Sequence, residues 1–228
     1  MGNIVIVGGD AGAALDVTYV TSLADTAAAT TYTSFPTASI GTTDANRLVL
    51  VGFSATAAAA RTFTSATIDG SAATEYGATI ENGTTQCCIA GWFGLKLSTG
   101  TTADIRLTFS GNVSNCTLHI YRILTTQTAA GAEYDFASGA SASSAVATLD
   151  SPAGGAIFAV CTTGTSSSGT GHAVTEADVE DNEQSSESAV RSSSSRKATE
   201  SLVTGQTMTG VFSGSPSNGV ISAVSIQG

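Results

Sequence analysis

The side chains best equipped for chemistry gather in one stretch, residues 109–123, FSGNVSNCTLHIYRI. Cys116, His119, Tyr121 and Arg122 all fall there. A thiol near an imidazole is the pairing that nucleophilic catalysis uses, but a working pair needs a third group to orient the base. Neither His119 nor His172, the two histidines of the chain, belongs to a GxSxG elbow. His119 sits in an expected strand and reads as a half-buried sheet residue. His172 sits in a Gly-rich loop, and two histidines without close partners do not make a zinc site. The four cysteines are Cys87, Cys88, Cys116 and Cys161, with no CxxC among them. Neighbours on a strand point to opposite faces, so Cys87 and Cys88 suit neither a disulfide nor a shared metal. All four read as reduced thiols acting as small apolar side chains.

Other candidates are weaker. Glu176, Asp178 and Glu180 alternate in the run EADVEDNEQSSE (176–187), which places them on one face of a strand. Carboxylates so placed can hold calcium, but no Asp-x-Asp-x-Asp-Gly loop accompanies them, and a solvated strand face is the better reading. The same run could supply a glycosidase carboxylate pair, whose separation in space the spacing does not fix. Gly8, Gly9 and Gly12 in MGNIVIVGGDAGA miss the G-x-G-x-x-G dinucleotide spacing, and no helical stripe follows. The sequence thus assigns no catalytic, cofactor-binding or metal-ligating residue, and the expectation is a protein that is not an enzyme and carries no cofactor.

The elements that hold these residues are strands. Charged residues make up only 11% of the 228, while Gly, Ala, Ser and Thr crowd every segment, which suits sandwiches and not helical bundles. Period-two alternation places strands at 17–21, 31–35, 48–55, 62–68, 86–97, 104–110 and 116–124. LVLVGF (48–53) is apolar on both faces, so it should be a central strand. Trp92 and Phe93 read as packing residues. The runs 164–171 and 192–195 read as flexible loops at sheet ends. A net charge of −10 argues against nucleic acid and anionic membranes as partners. The first sixteen residues read as an extended arm or edge strand with a Gly-rich hinge and no secretory signal, and an arm of this kind is expected to clasp a neighbouring subunit.

The chain also repeats itself. FSGNVSNCTLHIYRI returns as FSGSPSNGVISAVSI (212–226), each copy reading as a strand end, a hairpin turn and a second strand. LVLVGFSAT (48–56) pairs with AIFAVCTTG (156–164), FTSATID (63–69) with VTEADVE (174–180), and Tyr19 with Tyr134, in preserved order. The fold expected is all-β: a jelly-roll-like antiparallel β-sandwich of two repeats, about 17–126 and 132–226, forming one domain over 17–228. The open alternative is two small sandwiches in tandem.

Asn46-Arg47-Leu48-Val49-Leu50-Val51, FTSATIDGSAAT (63–74), the Trp92 strand, STGTTADIRLTFS (98–110), CTLHIYRIL (116–124) and SPAGGAIFAV (151–160) together resemble β-rich virion proteins of tailed phages and gene transfer agents. That resemblance implies a virion structural protein, foremost a capsid decoration (cement) protein. It would be made in the host cytoplasm and carried on the capsid exterior. Its partners would be the major capsid protein and neighbouring copies of itself, as a homotrimer. The alternative it implies is a tail-fibre or head-spike module binding host glycans through loops 164–172 and 192–196, with Trp92 or Tyr76 as a stacking platform. A glycan hydrolase is the remaining reading.

Overall fold

The computed structural model describes residues 15–82, 87–126, 133–140, 143–164, 172–187, 190–212 and 218–227. The expected arm therefore lies outside the described residues up to position 14, as do loop 165–171 and positions 213–217 of the second FSG copy.

The described chain is all-β and antiparallel. The first half forms β1 (Asp16–Asp25), β2 (Ala29–Ser39), β3 (Arg47–Ala57), β4 (Phe63–Ile68), β5 (Ser71–Ala72), β6 (Thr74–Asn82), β7 (Cys87–Lys96), β8 (Thr102–Val113) and β9 (Asn115–Leu124). The second half forms β10 (Glu133–Ala140), β11 (Ser144–Ser151), β12 (Gly155–Gly164), β13 (His172–Thr175), β14 (Val179–Glu187), β15 (Val190–Thr199), β16 (Val203–Phe212) and β17 (Asn218–Ile226). Two five-stranded sheets run β1-β9-β3-β7-β6 and β10-β17-β12-β15-β14. Two smaller sheets run β2-β8-β4-β5 and β11-β16-β13. The strand order of one half therefore recurs in the other, except that β5 has no counterpart among the described residues of the second half. The pairing register recurs as well: Leu48 faces Ile123 as Ala156 faces Ile226, and Tyr19 faces Tyr121 as Tyr134 faces Val224. One sequence pairing slips, because Ala66 and Val174 occupy corresponding places opposite Leu107 and Gly210, whereas FTSATID and VTEADVE had aligned Phe63 with Val174.

Three cores set the layering. The first joins β3, β7 and β9 to β2, β4 and β8 through Val51, Phe53, Phe93, Leu107 and Leu118. The third joins β12 and β17 to β11, β13 and β16 through Ile157, Leu149, Met208 and Phe212. Between them, Leu50, Trp92, Tyr121, Phe158 and Val224 join the two five-stranded sheets face to face. The layers thus stack as outer sheet, five-stranded sheet, five-stranded sheet, outer sheet. Burial patterns follow. All eleven positions of β3 are buried, because sheets cover both its faces. β8 alternates, with Ala103, Ile105, Leu107 and Phe109 turned inward and Arg106 exposed.

Two expectations are corrected. FSGNVSNCTLHIYRI is not a hairpin: β8 belongs to an outer sheet and β9 to a five-stranded sheet, so the chain crosses between layers at Ser114. β16 and β17 are split between layers in the same way. The shared Asn serves that crossing. Asn115 is buried opposite Thr56, and its side-chain amide donates to the Thr56 hydroxyl at 2.6 Å. Ser192–Ser195, expected as a loop, lies inside β15, where ladders to β12 and β14 hold it on both sides. Ser194 and Ser195 are fully buried there. Serine carries no apolar rhythm to betray a strand, but its small side chain fits between close layers.

Candidate functional site

The chemistry-bearing side chains converge on the seam between the two five-stranded sheets. β9 explains how. Cys116, Leu118 and Ile120 point into the first core, so Thr117, His119, Tyr121 and Ile123 point to the seam. Trp92 reaches it from β7 and donates its indole N–H to the Ser222 carbonyl of β17 at 2.9 Å. Trp92, Tyr121 and Phe158 form an aromatic triangle with centroids 5.1 to 6.0 Å apart. Gly52 makes room for it, since a Cβ there would lie 2.7 Å from the indole ring. At one rim Gly77, with φ 125°, lets the Tyr134 ring of the opposite sheet lie on its backbone.

A polar group closes the other rim. The Tyr121 hydroxyl donates to the Asp181 carboxylate at 2.9 Å, and Arg196 pairs with Asp181 at 2.8 Å. Tyr19 packs edge-on against Tyr121 at 5.3 Å, and Asn182 donates to the Ser22 hydroxyl. The bridge crosses between sheets, because Tyr121 belongs to one and Asp181 and Arg196 to the other. Burial raises the Asp181 pKa, and the Arg196 charge and the Tyr121 hydrogen bond offset part of that rise. Burial, reinforced by the Asp181 charge, pushes the Tyr121 phenol well up.

These positions correct several readings from sequence. His119 is fully buried, not half-buried, and burial lowers its pKa to about 3, so the ring stays neutral at ordinary pH. Burial likewise pushes the Cys116 thiol up, away from thiolate chemistry. The pair that suggested a nucleophile and base is divided by the sheet, with Cys116 in the first core and His119 on the seam side. Trp92 is fully buried and Tyr76 is 3% exposed, so neither offers a stacking face to a sugar. Glu176, Asp178 and Glu180 do not share a strand face. Glu176 occupies a turn with φ 66°, Asp178 a bend, and only Glu180 lies in β14. Glu176 accepts from the Thr209 N–H and Asp178 from the Ala198 N–H, which ties the turn to its neighbours. Among the described residues no three His, Cys, Asp or Glu side chains are grouped to hold a metal.

Arg47 is the residue whose role sequence reasoning missed. It is fully buried, and its guanidinium donates to the carbonyls of Leu97, Gly41, Thr42 and Thr99 at 2.6 to 3.1 Å. Desolvation lowers its pKa. It clamps two connections at one end of the first half. The only signal was an arginine opening an otherwise apolar strand.

The seam opens at one end into a cavity of about 470 Å³, walled by Leu15, Val17, Ala156, Val179 and Ala198, with Arg196 at its inner side. No family model, curated protein or solved structure matches this chain. Among the described residues no helix is long and apolar enough to cross a membrane.

Proposed function

We propose that this chain is a structural component of a virion, a decoration protein that binds the outer capsid surface and stabilises the head, built from two duplicated halves. One observation carries the non-catalytic part of this reading. Trp92, Tyr121, His119, Arg47 and the four cysteines are all committed to the interior that locks four sheets together. Among the described residues, sheet faces are available to partners. The outward face of β11 and β16 carries the exposed valines Val146 and Val211 among Thr148, Thr207 and Thr209. A flat face of threonine and valine on a rigid slab suits extended contact with another protein surface. The virion part is supported by the motif resemblance alone.

The test is stoichiometry in purified particles. A fixed, high ratio to the major capsid protein is the expected result, and a handful of copies per particle favours a fibre or spike instead. Val146→Asp with Val211→Asp should release the protein from particles while leaving its circular dichroism unchanged. Undiminished binding by that double variant removes this face from the proposal.

A further inference from the structure

The cavity at the end of the seam is an apolar mouth, walled by Leu15, Val17, Ala156, Val179 and Ala198. Val179 is 40% exposed at its edge, and Ala198 beside it is exposed too. Leu15 and Val17, the start of β1, form one wall. The Leu15 N–H donates to the Gly154 carbonyl at 3.0 Å, so the chain's exit is pinned at the mouth. Fourteen residues precede that point, MGNIVIVGGDAGAA, and Ile4, Val5, Ile6 and Val7 are their large apolar side chains apart from Met1.

We propose that this mouth receives the Ile4–Val7 segment of a second copy of the chain, so that copies are joined by exchanged N-terminal arms. The length and exit of the segment favour exchange over return. Residues 8–14, GGDAGAA, separate the apolar run from Leu15. A chain that reverses over so short a span comes back as the antiparallel neighbour of the strand it left, beside β1 and not beneath it. Extended instead, those seven residues reach up to about 25 Å from the exit, far enough to enter a neighbour. In an extended Ile-Val-Ile-Val segment one pair of side chains faces each way, so Ile4 and Ile6 can fill the mouth together. Among the described residues β1 and β14 are edge strands of their sheets, and they flank the mouth. Reciprocal exchange gives a closed dimer, and serial exchange around a ring gives the trimer of the decoration reading, on which this inference builds for its setting but not for its geometry.

The test uses full chains carrying one added cysteine each, the native four being buried. Ile6→Cys and Ala198→Cys proteins are mixed and oxidised. A disulfide-linked heterodimer is expected, with far less from Ile6→Cys mixed with Ser65→Cys, which is exposed on the remote outer sheet. Sedimentation of a chain lacking residues 1–12 should show a smaller species than the full chain. The proposal is overturned if the heterodimer does not exceed the Ser65 control. It is also overturned if a chain bearing both Ile6→Cys and Ala198→Cys closes its disulfide only within itself, or if truncation leaves the oligomer intact. Any of these leaves the capsid reading standing, since particle stoichiometry decides that separately.

Discussion

His119 should make this fold acid-sensitive in a pH range where no ordinary carboxylate titrates. Its imidazole is fully buried on the seam side of β9, and burial lowers its pKa to about 3. In the unfolded chain the same ring has a pKa near 6.5. Below that value the unfolded state takes up a proton that the folded state refuses. Stability is therefore complete above about pH 6.5 and falls as pH drops toward the folded value. Each pH unit in the window costs about 1.4 kcal/mol, so moving from pH 8 to pH 5 should cost about 2 kcal/mol through this residue alone.

The perturbation is His119→Gln, which keeps a polar side chain of similar reach and cannot titrate. Urea unfolding of both proteins at pH 8 and pH 5 gives four free energies. The variant carries a fixed packing penalty at both pH values, so only the difference of differences matters. Every other titrating group, the raised Asp181 included, is common to both proteins and cancels. The variant should lose about 2 kcal/mol less than the wild type between the two pH values. Equal losses within about 0.5 kcal/mol would refute the reasoning, because they would mean that the folded ring accepts its proton as readily as the unfolded one.

Three further outcomes follow from the same geometry. Phe158→Ala removes one corner of the seam triangle and should cost about 3–5 kcal/mol in urea unfolding. It leaves Trp92, the sole tryptophan, as a fluorescent reporter of the seam, so a second transition in its signal would show the halves melting apart. Arg47→Ala strands four backbone carbonyls and should cost at least about 3 kcal/mol, with Arg47→Lys recovering only part because an ammonium cannot reach all four. Asp181→Asn should flatten the pH dependence in the opposite sense to His119. Burial lets the folded carboxyl hold its proton above the ordinary aspartate value of 3.8, so the wild type gains stability as pH falls into the carboxylate range, and parallel urea midpoints against pH would show the asparagine variant lacking that gain.

Strands were legible where apolar residues mark a period. The stretches expected at 48–55, 104–110 and 116–124 all lie within β3, β8 and β9. β14 and β15 were not legible, because VEDNEQSSE and VRSSSSRKAT have no such period and are held by backbone ladders to each other and to β12. Trp92 was correctly placed as a packing residue, but its partner, the Ser222 carbonyl 130 residues away, could not be read from local pattern. The same holds for the bridge from Tyr121 to Asp181, whose members look like a strand tyrosine and one acid among many until the two sheets are stacked.

The hairpin misreading shows what the sequence did contain. In an antiparallel hairpin both strands share a layer, and away from sheet edges they bury the same number of faces. TADIRLTFSGNV alternates and buries one face, whereas NCTLHIYRIL is buried along almost its whole length. A two-faced strand belongs to an inner layer, whereas a one-faced strand lies in an outer layer or at the edge of an inner one, as β1 and β10 do. Unequal burial does not by itself forbid pairing, since the edge strand β6 pairs with the almost wholly buried β7, but at 109–123 it accompanies a crossing between layers. VTGQTMTGVF and NGVISAVSI differ in the same way, and they too lie in different sheets. Two-sided burial marks LVLVGF, CCIAGWFG, CTLHIYRI, AIFAVC and GVISAVS as inner strands. Inner strands from both halves imply two inner sheets, which can bury their second faces only against each other. The seam that gathers Trp92, Tyr121, His119 and Asp181 is thus a consequence of two-sided apolar runs occurring in both halves. Those side chains were placed there by the packing of layers, which is why their chemistry is directed inward.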